Sequence, residues 1–155
     1  MTLTTTTHLN FRGTARAALT FYQSVFGGQL TVVTYADFGM PSDAPGAGNV
    51  VFGSVESAEG FRVMAYDTLG NPGRPEEAAG STTRENGVTI TTQSFFVSVR
   101  GETVDDVHGY WEKLADGARI VEPFASSPWS PGFGMLTDRF GVTWIVDVAS
   151  GNRAD

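Results

Sequence analysis

The side chains best suited to binding or catalysis alternate with apolar residues along short segments of the chain. In segment 6–11, His8 and Asn10 are separated by Leu9. Because successive side chains of a strand point to opposite faces of a sheet, His8 and Asn10 share the face opposite to Leu9. An imidazole beside a carboxamide can exchange hydrogen bonds with a ligand or, together with further donors, bind a metal ion. Residues 6–11 therefore carry the first candidate site residues.

Three further segments repeat this alternation between an apolar face and a mixed face of polar, charged and aromatic side chains. The mixed faces carry Arg62, Met64 and Tyr66 in segment 61–66, Ser94, Phe96 and Ser98 in segment 94–99, and Thr143, Ile145 and Asp147 in segment 142–147. The apolar faces, among them Phe95, Val97 and Val99, should pack beneath a helix. A mixed face can line a pocket for a small molecule, or it can simply be exposed to solvent.

Two helices and several strands must position these segments. Apolar residues recur at helical spacing over residues 14–26 and 103–114. Short β-type runs cover residues 30–35, 49–56, 61–67, 93–100, 118–122, 135–137 and 142–148. Aligning Arg12-Gly13 with Arg100-Gly101 brings the two helices into register, so a strand, Arg-Gly and a helix occur twice. This internal repeat predicts a duplicated fold.

The repeat predicts an α+β fold of two tandem βαβββ modules, residues 3–67 and 93–149, within a single domain spanning 1–155. A connector rich in Gly, Pro and Glu, residues 68–92, joins the modules. The connector and the loop 37–48 are long enough to be either passive linkers or lids over a pocket.

Composition limits the partners. The chain has 155 residues, a net charge of −7 and no cysteine, so no basic surface for nucleic acid or an anionic membrane and no thiol chemistry are expected. Residues 1–10 contain neither a basic cluster nor an apolar run, and no apolar stretch is long enough to cross a bilayer. We therefore expect a cytoplasmic protein that binds neither nucleic acid nor membranes.

The sequence also predicts the surroundings of three individual side chains. Trp144 alternates with apolar neighbours and should be buried between sheet and helix. Asp138 precedes Arg139-Phe-Gly in a hairpin, where its side chain should stabilise the turn. His108, the other histidine of the chain, should lie on the exposed face of the second helix.

Two motifs connect the chain to a known family. The helix segment Phe21-Tyr-Gln-Ser-Val-Phe-Gly-Gly28 and the segment 132–144, with Trp129 upstream, Asp138-Arg-Phe-Gly within it and Trp144 at its end, resemble the PhnB-like branch of the vicinal oxygen chelate superfamily. That superfamily includes glyoxalase I, bleomycin resistance proteins and extradiol dioxygenases. The resemblance implies that the two modules form a curved mixed sheet shaped as a cup, and that the protein is a homodimer.

The resemblance also implies where a metal would bind. Metal-using members of the superfamily place a His or Glu on the first and last strands of each module. The matched motifs put these positions at Thr7 or His8, at Met64, at Ser94 and at Ile145. Three of the four positions lack a usual ligand, and a divalent ion needs three or four nitrogen or oxygen donors. We therefore expect no metal and no other cofactor.

We expect a metal-free protein that binds a small molecule in an aromatic, mildly polar cup. The candidate lining residues are His8, Asn10, Arg62, Met64, Tyr66, Phe96, Ser98, Trp129 and Asp147. Their aromatic rings would stack on a flat or sugar-like ligand, and Arg62 with Asp147 would orient it through charge-assisted hydrogen bonds. One alternative is a metal-dependent lyase, isomerase or dioxygenase that uses His8, Asp67 and Asp147. Another is a structural or regulatory homodimer without a ligand.

Overall fold

The computed structural model describes residues 2–70 and 80–150. The chain divides into two compact units, Met1–Glu76 and Glu77–Asp155. Each unit contains a four-stranded mixed sheet and one long helix, which confirms the α+β class. No helix among the described residues is long and apolar enough to cross a membrane.

The first unit follows the predicted βαβββ order. Its elements are β1 (Thr7–Phe11), α1 (Ala15–Phe26), β2 (Gln29–Thr34), a short 3-10 helix (Ala36–Phe38), β3 (Val50–Glu56) and β4 (Arg62–Asp67). The strand order in the sheet is β1-β4-β3-β2. Strand β1 runs parallel to β4, whereas the other neighbouring strands are antiparallel.

Helix α1 covers one face of this sheet. Its apolar side is fully buried and includes Leu19 and Tyr22, and the sheet side chains beneath it include Leu9 and Val63. Gly53 on β3 allows the close approach, because a methyl group there would collide with the Leu19 side chain. Burial of these apolar surfaces is the main favourable contribution to the stability of this unit. It leaves the opposite face of the sheet to the polar and aromatic side chains.

The second unit repeats the same plan after an additional hairpin. Its elements are β5 (Thr82–Glu85), β6 (Val88–Thr91), β7 (Val97–Gly101), α2 (Val104–Ala115), β8 (Arg119–Ser127), β9 (Ser130–Thr137) and β10 (Thr143–Val148). The four-stranded sheet has the order β7-β10-β9-β8, with β7 parallel to β10. In the described part of the chain, strands β5 and β6 pair only with each other.

The hairpin β5–β6 lies within residues 68–92, the segment predicted as a connector that is either a linker or a lid. Asn86 and Gly87 form its turn, both with positive φ (51° and 76°). An Asn-Gly pair in this conformation matches the twist of an antiparallel hairpin. The sequence prediction assigned this Asn-Gly pair to the linker and overlooked the β-branched residues on either side. Residues 71–79, the remainder of the proposed lid, lie outside the described part of the chain.

Three predicted strands have different bounds in the structure. Residues 93–96 precede β7, so the predicted alternation does not apply to them, and Phe95 is 55% exposed instead of packed beneath a helix. Strands β8 and β9 are longer than the predicted runs 118–122 and 135–137. Strand β8 lies at the edge of the sheet and pairs with β9 through several register shifts, which accommodate Pro123.

The predictions for Trp144 and Asp138 are confirmed. Trp144 is fully buried on β10. The carboxylate of Asp138 is also buried and accepts hydrogen bonds from the backbone N–H groups of Phe140 and Val142, at 2.8 and 3.1 Å. The same carboxylate accepts a bond from Trp144, so the turn and the core of the second unit share one acceptor group.

Candidate functional site

The sheet face opposite to α1, called the open face of the first unit, carries all five predicted site residues of that unit. They are His8 and Asn10 on β1 and Arg62, Met64 and Tyr66 on β4. In the parallel ladder His8 lies beside Met64 and Asn10 lies beside Tyr66. The intervening residues Leu9, Val63 and Ala65 are buried on the α1 side. The alternation in the sequence therefore predicted the correct face for each of these side chains.

His8 makes two contacts on the open face. Its Nδ1 atom lies 3.1 Å from Oδ1 of Asn10. Its ring meets that of Tyr66 edge to face, with the centroids 5.0 Å apart and an angle of 67° between the planes. Edge-to-face packing is a favourable arrangement of aromatic rings. Both contacts hold the imidazole in one orientation although its side chain is exposed.

Further residues of this face were not predicted as site residues, among them Ser54 and Phe52. Ser54 on β3 pairs with Met64, and Phe52, two residues earlier, is 40% exposed. Both alternate with Gly53, which faces α1. The alternation in segment 50–56 was available in the sequence, and applying it to this strand would have placed both residues on the open face.

Tyr35 follows β2 in the same unit. Its hydroxyl donates a 2.6 Å hydrogen bond to the backbone carbonyl of Asp67. Burial raises the pKa of Tyr35, and electrostatic interactions with Tyr66 and with the Asp67 carboxylate raise this pKa further. The phenol is therefore held in its neutral, hydrogen-bonding form.

The charged residues predicted to orient a ligand already have protein partners. Nε of Arg62 lies 3.8 Å from Oε1 of Glu56, its register partner on β3. The Asp147 carboxylate accepts two hydrogen bonds from Arg100, at 3.0 and 2.8 Å, and is 7% exposed. These bonds raise the pKa of Arg100. Both oxygens of Asp147, which was predicted to bind a ligand, are thus paired with a guanidinium that the prediction did not include.

The second unit brings Trp129 into an aromatic cluster. Trp129 lies between β8 and β9, is 53% exposed and meets Phe133 edge to face at 5.3 Å. The guanidinium of Arg84, from the β5–β6 hairpin, lies 5.2 Å from the Phe133 ring and 5.9 Å from the Trp129 ring. A guanidinium near aromatic rings contributes a favourable cation–π interaction. The cluster thus attaches the hairpin to the rest of the unit.

The other predicted residues of the second unit are divided between exposed and covered positions. Ser98 is exposed beside the half-buried Ile145, and Phe96 is half-buried just before β7. Thr143, which was assigned to the mixed face, is 2% exposed. Its hydroxyl donates to Oε1 of Gln93 at 2.6 Å, and the Thr82 hydroxyl donates to the same oxygen at 2.5 Å. The hairpin region therefore covers this end of the face.

The described residues do not fit a catalytic metal. Within residues 2–70 and 80–150, no three His, Cys, Asp or Glu side chains converge. Asp67 accepts hydrogen bonds from the backbone N–H groups of Gly13, Ala15 and Val50 at 2.7 to 3.0 Å. It lies on the α1 side of the sheet, opposite to His8. The alternative ligand set of His8, Asp67 and Asp147 therefore has both carboxylates committed to protein donors.

The chain is similar to known proteins over most of its length. The family model of the Glyoxalase/Bleomycin resistance protein/Dioxygenase superfamily matches residues 7–146. Protein YjdN of Escherichia coli (strain K12) is 24% identical over 148 residues, which cover 91% of this chain and 92% of YjdN.

Solved structures share the same fold. Protein PA1353 of Pseudomonas aeruginosa superposes with a TM-score of 0.75 and 25% identity, covering 95% of this chain and 98% of that one. The PhnB protein of Bacillus cereus, whose name also refers to a 3-demethylubiquinone-9 3-methyltransferase, gives a TM-score of 0.68 and 26% identity, covering 95% and 100%. The resemblance to the PhnB-like branch is thereby confirmed, and the chain belongs to the Glyoxalase/Bleomycin resistance protein/Dioxygenase superfamily.

Proposed function

We propose that this chain is a metal-free binding protein for a small organic molecule. The observation that carries the proposal is the open face of the first unit, where His8, Asn10 and Tyr66 are held by contacts with one another and remain accessible. Polar groups fixed beside aromatic rings are typical of small-molecule sites, because the rings supply contact area and the polar groups supply orientation. The exposed Trp129 of the second unit is a further candidate for stacking on a ligand.

The donor chemistry supports a site that functions without a metal. His8 lies among a carboxamide, a thioether and a phenol, none of which binds a divalent transition metal strongly when neutral. The two carboxylates that could have joined it accept backbone or guanidinium hydrogen bonds instead. Among residues 2–70 and 80–150, therefore, no cluster of donors favours metal-dependent lyase, isomerase or dioxygenase chemistry.

The reaction in the name of the Bacillus cereus relative is not part of this proposal. The chain enters α1 through Arg12-Gly13-Thr14 and α2 through Glu102-Thr103. Neither segment is the glycine-rich loop with which a strand and helix cradle a nucleotide-containing cofactor. Membership of a superfamily also does not specify a reaction, because one fold carries many chemistries.

We also propose that the protein is a cytoplasmic homodimer. Strands β1 and β2 are the edges of the first sheet, and β7 and β8 are the edges of the second. Pairing between copies satisfies unpaired edge groups, and twofold association is the commonest closed arrangement. Light scattering should give twice the chain mass of 16.5 kDa. A mass of one chain at micromolar concentration would contradict the dimer.

The binding function is tested on the protein purified from its own cells without chelator or histidine tag. Native mass spectrometry should show a bound organic molecule, and elemental analysis should show less than one transition metal per chain. Tyr66→Leu should lose most of the bound molecule, whereas Tyr110→Leu, at a half-buried tyrosine of α2, should retain it. A stoichiometric metal, or a chain that never carries a small molecule, would refute the proposal.

A further inference from the structure

The contact between His8 and Asn10 favours one of the two tautomers of the His8 imidazole. The Asn10 atom that lies 3.1 Å from Nδ1 is the carbonyl oxygen Oδ1. A carbonyl oxygen can only accept a hydrogen bond, so Nδ1 must carry the proton for this contact to be favourable. In a neutral imidazole the other nitrogen, Nε2, then has a free lone pair. Asn10 is thus a positioning residue that makes Nε2 of His8 a hydrogen-bond acceptor.

The charges around His8 point to a neutral ligand. The cationic Arg62 lies two residues before Met64, which is the register partner of His8. Nε of Arg62 lies 3.8 Å from Oε1 of Glu56. Asp67 is on the opposite face and accepts three backbone hydrogen bonds. Since Arg62 is paired with Glu56 and the oxygens of Asp67 are hydrogen-bonded on the other face, we infer that the open face offers an anion or a cation little advantage over a neutral molecule.

The apolar part of the open face is suited to a flat ring. Tyr66 and Met64 are half-buried beside His8, and Phe52 is 40% exposed on the same face. Aromatic rings and thioethers both make favourable contacts with an aromatic ring. A ligand that matches this face combines such a ring with a hydrogen-bond donor aimed at Nε2.

We propose that the open face of the first unit binds a phenol, an aromatic ring that bears a neutral hydroxyl group. The hydroxyl donates a hydrogen bond to Nε2 of His8, and the ring contacts Tyr66 and Met64. This inference rests on the proposed function, since it names the chemistry of the ligand for the same site.

The protonation of His8 can be measured without any ligand. Long-range proton–nitrogen NMR spectra of the full chain contain signals from only two histidines, His8 and His108. At about pH 8, where imidazoles are largely neutral, wild-type His8 should carry its proton on Nδ1. Asn10→Leu should remove this preference and leave the His108 signals unchanged. A wild-type His8 that is protonated on Nε2 would overturn the inference.

Two probes that differ by one donor then test the ligand class. The probe 4-methylphenol can donate a hydrogen bond, whereas 4-methylanisole, with nearly the same shape, cannot. Followed by NMR shifts of His8, the phenol should bind roughly two- to tenfold more tightly than the ether, the range expected for one net hydrogen bond. His8→Phe and Asn10→Leu should lose this difference, and His108→Phe should retain it. Equal binding of both probes to the wild type would overturn the inference.

The results separate this inference from the proposed function. A protein that carries a metal-free organic molecule from its cells, but does not distinguish the two probes, retains the proposed function and refutes the phenol site. A protein that carries a stoichiometric metal refutes the proposed function itself. If His8→Phe fails to fold, the NMR signals of the wild type and of Asn10→Leu still decide the protonation of His8.

Discussion

Nε1 of Trp144 donates a 2.9 Å hydrogen bond to Oδ2 of Asp138, and both side chains are buried. The other oxygen of Asp138 accepts the backbone N–H groups of Phe140 and Val142. One carboxylate therefore closes the turn between β9 and β10 and also satisfies the polar atom of the largest core side chain. Trp144 can be buried without leaving an unpaired hydrogen-bond donor, because its Nε1–H group has this partner.

Removing the Trp144 side chain should cost much more stability than removing its neighbour. Trp144→Ala should lower the free energy of unfolding by about 3–5 kcal/mol, because a large buried side chain leaves a cavity. Ile145→Ala should cost less, because Ile145 is only half-buried on the opposite face. Urea denaturation of both variants measures the difference. Equal losses would show that the two faces of β10 are assigned wrongly.

Replacing the Asp138 carboxylate by an amide should also destabilise the second unit. In Asp138→Asn an NH2 group replaces one of two oxygens that accept hydrogen bonds, so at least one buried donor loses its acceptor. The expected loss is about 1–3 kcal/mol. Asp116→Asn is the control, because Asp116 is 81% exposed and its ion pair with Arg139 contributes little. Equal unfolding midpoints for the two variants would contradict a structural role for Asp138.

Gln93 should prove important for the attachment of the β5–β6 hairpin. Gln93→Leu leaves the hydroxyls of Thr82 and Thr143 without their shared acceptor, which should cost about 1–3 kcal/mol. Amide hydrogen exchange should accelerate in β5 and β6 more than in β9. Val88→Ala, at a position that is 61% exposed on the same hairpin, should change neither measurement. Unchanged exchange in Gln93→Leu would contradict this role.

Tyr35 should ionise at a higher pH than an exposed tyrosine. Burial, together with electrostatic interactions with Tyr66 and Asp67, raises its pKa above the ordinary value of 10.0. Because the folded state favours the neutral phenol, the associated stability is present below that value and is lost as the pH rises through the raised pKa. Ultraviolet titration of wild type and Tyr35→Phe measures the pKa of Tyr35. Alkaline unfolding of the two proteins measures the associated loss of stability. The prediction fails if Tyr35 ionises at or below the ordinary value of 10.0.

Added transition metals should not stabilise the protein. A metal that binds the native state raises the melting temperature, and such binding requires several converging donors. Zinc, nickel, iron and manganese should therefore leave the melting temperatures of wild type and His8→Ala unchanged, because His8 has no converging donors among the described residues. One tightly held metal per chain that is lost in His8→Ala would favour the metal-dependent alternative.

Local periodicity in the sequence was sufficient to predict much of the fold and the sheet face on which the candidate residues of the first unit lie. Strand side chains alternate with period two and helix side chains recur with period 3.6, so neighbouring residues alone assign a face. For this reason the placement of His8, Asn10 and Tyr66 on one face, and of Trp144 on the other, followed directly from the chain. The two repeated modules and the superfamily motifs are also readable from the sequence, because they depend on spacing within short segments.

The tertiary structure decided which groups are partners. Asp147 meets Arg100 across 47 positions of the chain, and Thr143 meets Gln93 across 50. Such contacts depend on the register between strands and on where the β5–β6 hairpin folds back, and neither is encoded in the period of one segment. Through these contacts, Asp147 and Thr143, which the sequence analysis placed on a mixed face, form hydrogen bonds within the protein. Only the folded chain could show that Asp147 is occupied whereas His8 remains accessible, because availability depends on distant partners.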